Sequence, residues 1–136
     1  MCSQLGQVVQ IKGRVKLMMM NSEIEAIFTG FTVDNVSIPV SYMFYNGSAD
    51  AYIVYSNVDN DKSYSGDDEL LGYITYYDFG VYAKSNYFQI MSEMMDRLER
   101  AGWTFSPSKS SADSYDRDTG YYFKTLCFAK AKQTNL

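Results

Sequence analysis

The clearest pattern along the chain is the alternation from Leu70 to Lys84. Tyr77, Phe79, Val81 and Ala83 fall on one face of an extended segment, and Tyr76, Asp78, Gly80, Tyr82 and Lys84 on the other. Side chains alternate across a strand, so this spacing predicts a long β-strand whose first set faces the core. The period then becomes helical. Tyr87, Met91, Met94 and Leu98 stack along one side, widened by Phe88 and Met95, with Asp96, Arg97, Glu99 and Arg100 mainly opposite. Ser85 or Asn86 is placed to cap this helix and Gly102 to end it, with Trp103 closing a hydrophobic contact behind.

Weaker signals fill in the rest. Asn21-Ser22-Glu23 reads as a helix start, Ile24, Ile27 and Phe28 share a face, and Gly30 ends the element. Ile38–Tyr45 and Ala51–Val58 are β-rich runs on either side of Asn46-Gly47, which predicts a hairpin with a loop longer than two residues. Residues 59–69 are polar and acidic, with Asp59, Asp61, Asp67, Asp68 and Glu69, and read as a loop. A second polar stretch runs from Ser106 to Thr119; Gly120 then opens an alternating strand from Tyr121 to Lys130. The expected fold is α+β: a mostly antiparallel sheet of four to five strands, one long helix across one face, and a short N-terminal helix. Residues 21–132 form one domain and 133–136 a frayed tail. Residues 1–20 stand apart. Met18-Met19-Met20 suggests a translation start preceded by leader, since Lys12-Gly13 can be encoded by a purine-rich ribosome-binding sequence; a β-strand at Gln7–Lys16 is the other reading.

Composition narrows the function classes. The chain of 136 residues is 46% apolar, enough for a single core and against whole-chain disorder. A net charge of −4 with 12 scattered basic residues argues against gripping nucleic acid, which needs clustered Lys and Arg. No apolar run approaches the ~20 residues of a membrane span, and a signal peptide finds no support. Two cysteines, Cys2 and Cys127, are no disulfide framework; Cys127 alternates within a strand as a buried small hydrophobe. Synthesis in a reducing cytoplasm is expected. Aromatic residues are abundant, with 13 Tyr and 8 Phe, and tyrosine suits both strand faces and protein interfaces.

Catalytic chemistry is poorly supplied. The chain has no histidine, which removes the commonest general base, the Ser-His and Cys-His pairs and most zinc sites. No phosphate-cradling loop or dinucleotide fingerprint occurs. Read as calcium loops, Asp59 puts Tyr64 where glycine is needed, and Asp61 puts Gly72 where the bidentate Glu is needed; Asp113, Asp116 and Asp118 fail similarly. Acidic residues in polar loops also lack the apolar setting that makes a carboxyl a general acid. The expectation is a protein without enzyme activity, cofactor or metal.

Three stretches carry a resemblance. Tyr76-Tyr77-Asp78-Phe79-Gly80-Val81-Tyr82-Ala83-Lys84, leading into the helix from Asn86, resembles the strand-to-helix segment of phage tail-terminator (tail-completion) proteins. Residues 116–128, from Asp116-Arg117-Asp118-Thr119-Gly120 to Phe128, resemble that family's closing strand, and Tyr52-Ile53-Val54-Tyr55 an earlier one. The likeness spans roughly residues 21–131. It implies a subunit of a ring, usually a hexamer, that closes the head-proximal end of the tail tube and meets the head–tail connector. DNA would pass through without specific binding. The place of action would be the bacterial host cytoplasm during assembly and then the head–tail junction of the virion, or a prophage-derived tail-like particle. Another phage assembly protein, a connector or tube subunit, is the nearest alternative; a small ligand-binding or enzymatic domain is the more distant one.

A ring needs two different contact patches on each subunit. The first candidate is the strand face of Tyr76, Asp78, Tyr82 and Lys84, which the helix leaves free. The second is the acidic segment Asp59, Asp61, Asp67, Asp68 and Glu69, as an arm that orders on contact.

Overall fold

The computed structural model describes residues 21–66 and 69–133. The expected leader, its alternative strand, and residues 134–136 of the tail lie outside the described residues. The chain is α+β. Residues 21–27 form helix α1, followed by a small antiparallel ribbon of β1 (Thr32–Val33) and β2 (Val36–Ser37). Six strands then build one mixed sheet: β3 (Val40–Tyr42), β4 (Ala51–Gly66), β5 (Glu69–Ala83), β6 (Thr104–Phe105), β7 (Ser114–Tyr115) and β8 (Tyr122–Gln133). The order is β3-β4-β5-β8-β6, with β7 also on the outer edge of β8. Helix α2 (Tyr87–Arg100) lies on one face.

The expected core face is observed, since Tyr77, Phe79, Val81 and Ala83 are fully buried. They pack with Ile53 and Tyr55 of β4, Leu126 and Phe128 of β8, Ile24 and Phe28 near α1, and Tyr87, Ile90, Met94 and Leu98 of α2. The buried stripe of α2 is thus turned slightly from the expected one: Ile90 is buried, Met91 only half, and Phe88 is 70% exposed. Arg97 is not on a free face either, because its Nη1 donates to the carbonyls of Ile27 (2.8 Å) and Thr29 (3.1 Å) and so ties α1 to α2. Gly102 ends the helix as expected, with φ +95°; its N–H bonds to Glu99 O and that of Trp103 to Leu98 O, while the Trp103 ring is buried. Asn86 occupies the capping position without capping: its side chain donates to Asp34.

Three expectations are corrected. The segments around Asn46-Gly47 are no hairpin, because β3 pairs with β4 in parallel, Val40 opposite Ile53 and Tyr42 opposite Tyr55. Met43, at φ +76°, reverses the chain so that residues 44–50 run back before β4 begins. Tyr45 stacks on Tyr52 and accepts from the Ala49 N–H, and a Cβ at Gly47 would displace that ring. The acidic segment is no loop either. Asp59 and Asp61 lie in β4 and Glu69 in β5, where the ladder continues from Asp59–Tyr76 to Gly66–Glu69 across two irregularities. Within this segment Asp67 and Asp68 are outside the described residues. Lastly, the polar stretch before β8 holds β7 and a 3-10 turn (Pro107–Lys109) that follow the edge of β8. Among the described residues the sheet therefore has six strands and is mixed.

Candidate interaction surfaces

The sheet face turned away from α2 carries the first predicted set in a line along β5. Register places Tyr82 between Tyr52 of β4 and Phe123 of β8, Gly80 between Val54 and Thr125, and Asp78 between Ser56 and Cys127. The rings form a ladder: Tyr45 on Tyr52 (4.4 Å), Tyr52 on Tyr82 (4.8 Å) and Tyr82 on Phe123 (5.5 Å), with Tyr121 edge-on to Tyr52. Stacked rings of this kind add about 0.5–1.5 kcal/mol per pair beyond area burial. Tyr121 also donates to Ala49 O at 2.5 Å, so the ladder pins the 44–50 loop across this face.

Further along, Lys109 folds over the Tyr76 ring at 4.8 Å. Beneath it Cys127 is buried and donates from its thiol to Asp78. Burial pushes the Asp78 carboxyl above its usual range, against the opposing hydrogen bond from Cys127. Burial and the neighbouring Asp78 push the thiol up to about 11, so it is protonated and unreactive at neutral pH. Lys84 lies over the Tyr121 ring at 5.1 Å and pairs loosely with Asp50 at 3.9 Å. The face offered as free is therefore half covered by the chain's own 44–50 loop and 3-10 turn. Tyr76, Asp78, Tyr82 and Lys84 share it, but much of their contact area is spent internally.

The second predicted set is not a cluster on a loop. Asp59, Asp61 and Glu69 are distributed along two paired strands, and Asp67 and Asp68 are outside the described residues.

Apart from Val36 in the β1–β2 ribbon, the exposed large apolar residues among those described lie at the two opposite edges of the sheet. On the β3 edge Tyr42, Met43 and Phe44 follow one another, the last 69% exposed, and exposed Val58 lies further along β4. On the β8 edge Phe88, Tyr115 and Tyr122 are exposed. Tyr122 lies 4.6 Å from Tyr115 and 6.0 Å from Tyr87, which is 5.2 Å from Phe88. Tyr87 donates to Asp113, and burial together with this bond pushes the phenol's pKa well above its usual value. Six of these seven exposed residues carry no distinguishing mark in the sequence, because each sits where an apolar residue also suits a core. Tyr115 alone carries a signal, as an aromatic in an otherwise polar run.

The surface also has a shallow hollow of about 350 Å³ between the ends of α1 and α2, lined by Ile27, Arg97, Arg100 and Ala101. Arg97 is bonded to the α1 carbonyls and Arg100 pairs with Asp96 at 2.7 Å, so its cations already have partners. Among the described residues no group of three or more His, Cys, Asp or Glu converges as metal ligands, and no helix is long and apolar enough to cross a membrane. No protein-family model matches the chain, and no curated protein matches it in sequence.

Proposed function

We propose that this chain is a non-catalytic structural subunit that assembles with copies of itself into a closed ring, and that the ring is a phage tail terminator. The observation that carries the assembly is the pair of unlike apolar edges. Monomers rarely leave contiguous apolar patches in water. Two different patches on opposite sides of one subunit are what a head-to-tail contact requires, and such contacts generate rings when the rotation closes. The tail-terminator identity rests on the ordered likeness of Tyr52–Tyr55, Tyr76–Lys84 and residues 116–128 to that family. In this reading the mechanism is geometric: the ring seats on the tube end, hides the surface on which the tube would grow, and presents its other side to the head connector. DNA passes through without specific contacts.

Negative-stain microscopy with light scattering on the purified protein tests this. Single rings of uniform size are expected, and adding them to polymerising tail-tube protein should stop growth. Long cylinders would make the chain a tube subunit instead, and a strict monomer that leaves tube growth unaffected would remove the reading. Phe44→Asp and Phe88→Asp, both at exposed positions, should each abolish rings while leaving the thermal unfolding of the monomer within about 0.5 kcal/mol of wild type.

A further inference from the structure

Among the described residues the two edges of the sheet are closed over one half of its length and open over the other. On β4, β3 covers Ile53–Tyr55, with Met43 N–H bonded to Tyr55 O and Ile53 N–H to Pro39 O. On β8, the chain from Thr104 to Tyr115 covers everything from Tyr122 to Ala129: β7 pairs at Tyr122 and Phe123, β6 at Phe128 and Ala129. Between them Ser111 N–H bonds to Thr125 O and Ser106 N–H to Cys127 O, while Ser110 Oγ accepts from Cys127 N–H. Beyond these points neither edge has a strand partner among the described residues.

Register shows that the open parts are level. Asn60 pairs with Thr75 and Thr75 with Lys130; Asp61 with Ile74 and Ile74 with Ala131; Lys62 with Tyr73 and Tyr73 with Lys132; Tyr64 with Gly72 and Gly72 with Gln133. Four successive rows thus cross the sheet from the free edge of β4 to the free edge of β8. An unpaired strand edge is a template for another strand, and natural proteins cover or blunt such edges. Rotation about an axis along the strands, without translation, brings level segments of neighbouring copies together. Because β4 and β8 are each antiparallel to β5, they run in the same direction, so the new pair would be parallel. Charge agrees: residues 56–66 hold Asp59 and Asp61 against the single Lys62, whereas residues 129–133 hold Lys132 and no acid, Lys130 being engaged within the subunit by Ala101 O at 2.9 Å and Glu23 at 3.5 Å.

We propose that β4 of one copy, over residues 60–64, adds to β8 of the next, over residues 130–133, so that the sheets run on from subunit to subunit around the ring. This deepens the self-assembly reading above and rests on it. The same pairing gives the acidic strand segment an occupant, which its sequence alone did not.

Cysteine pairs test the contact in a Cys2→Ser background. Neighbouring strands lie about 4.8 Å apart, within the Cα separation of about 4.4–6.8 Å that a disulfide spans. Asp61→Cys combined with Ala131→Cys should give, on a non-reducing gel, a ladder whose top band is the whole ring. Each single variant should give monomer only, and Asp61→Cys combined with Lys124→Cys, far off level, should give no ladder. If light scattering finds rings but the 61/131 pair gives no ladder, this contact is wrong while the ring survives. Efficient dimers from Asp61→Cys alone would mean that two β4 edges meet face to face, which also overturns it. An internal bridge between Asp61→Cys and Ile11→Cys in place of the ladder would assign the edge to the chain's own residues 7–16, and the contact between copies would again be wrong. If wild type scatters as a strict monomer and leaves tube growth unaffected, the assembly reading itself falls.

Discussion

At the scale of single residues, burial decides which groups matter. Met94 is fully buried between α2 and the sheet. An unpaired carboxylate there costs several kcal/mol, against a total stability of about 5–15 kcal/mol for a domain. Met94→Asp should therefore lose its cooperative thermal transition in circular dichroism. Two buried acids make a prediction about pH. The Cys127 thiol moves from an ordinary 9.0 to about 11, and burial with nearby Glu25 moves the Tyr55 phenol from 10.0 to about 12. A raised folded-state pKa contributes stability that is whole below the unfolded value and is lost as pH climbs through the folded one. The urea midpoint should thus fall progressively between pH 9 and pH 12. Tyr55→Phe should flatten part of that fall, and a midpoint constant over this range would contradict the assigned environments. Most of the residue-scale core was legible: Tyr77, Phe79, Val81, Ala83, Met94 and Leu98 follow from period alone. Phe88 was not, because one helical step separates the buried stripe from its rim.

At the scale of elements, the end of α2 shows how a local signal becomes a joint. Gly102 holds a left-handed conformation, φ +95°, which glycine adopts without penalty, and the backbone bonds it permits place Trp103 against Tyr77 at 5.6 Å and Phe79 at 6.2 Å. Gly102→Ala should cost about 1 kcal/mol, lowering the melting temperature by a few degrees. Calorimetry would check this, and an unchanged melting temperature would mean that the terminus relaxes freely. The misread elements share a cause. Asn46-Gly47 announces a turn but not what the turn connects. Here Met43 reverses the chain first, and the ring of Tyr45 stacks on Tyr52, so the following strand lies parallel to the preceding one. The acidic strands carry no alternation of apolar and polar residues in sequence, so there is no hydrophobic period to read there.

At the scale of the whole molecule, the surfaces that matter are assembled from distant parts of the chain. One apolar edge joins Phe88 of α2 to Tyr115 and Tyr122, and the other is the run Tyr42, Met43 and Phe44 that follows β3. The ring and its sheet-to-sheet contact are claims at this scale, tested by microscopy and by the cysteine ladder. From sequence, the predicted face of Tyr76, Asp78, Tyr82 and Lys84 was placed on the correct side of β5, yet its covering by residues 44–50 and by Lys109 could not be foreseen. Local period and turn chemistry are properties of neighbouring residues, and they determined α2, its C-terminal glycine, β5, β8 and the core face between them. Which strands become neighbours, in which direction, and where their edges stay open depends on contacts between residues far apart in the chain, whose energies no local pattern encodes. Only the folded sheet decided those.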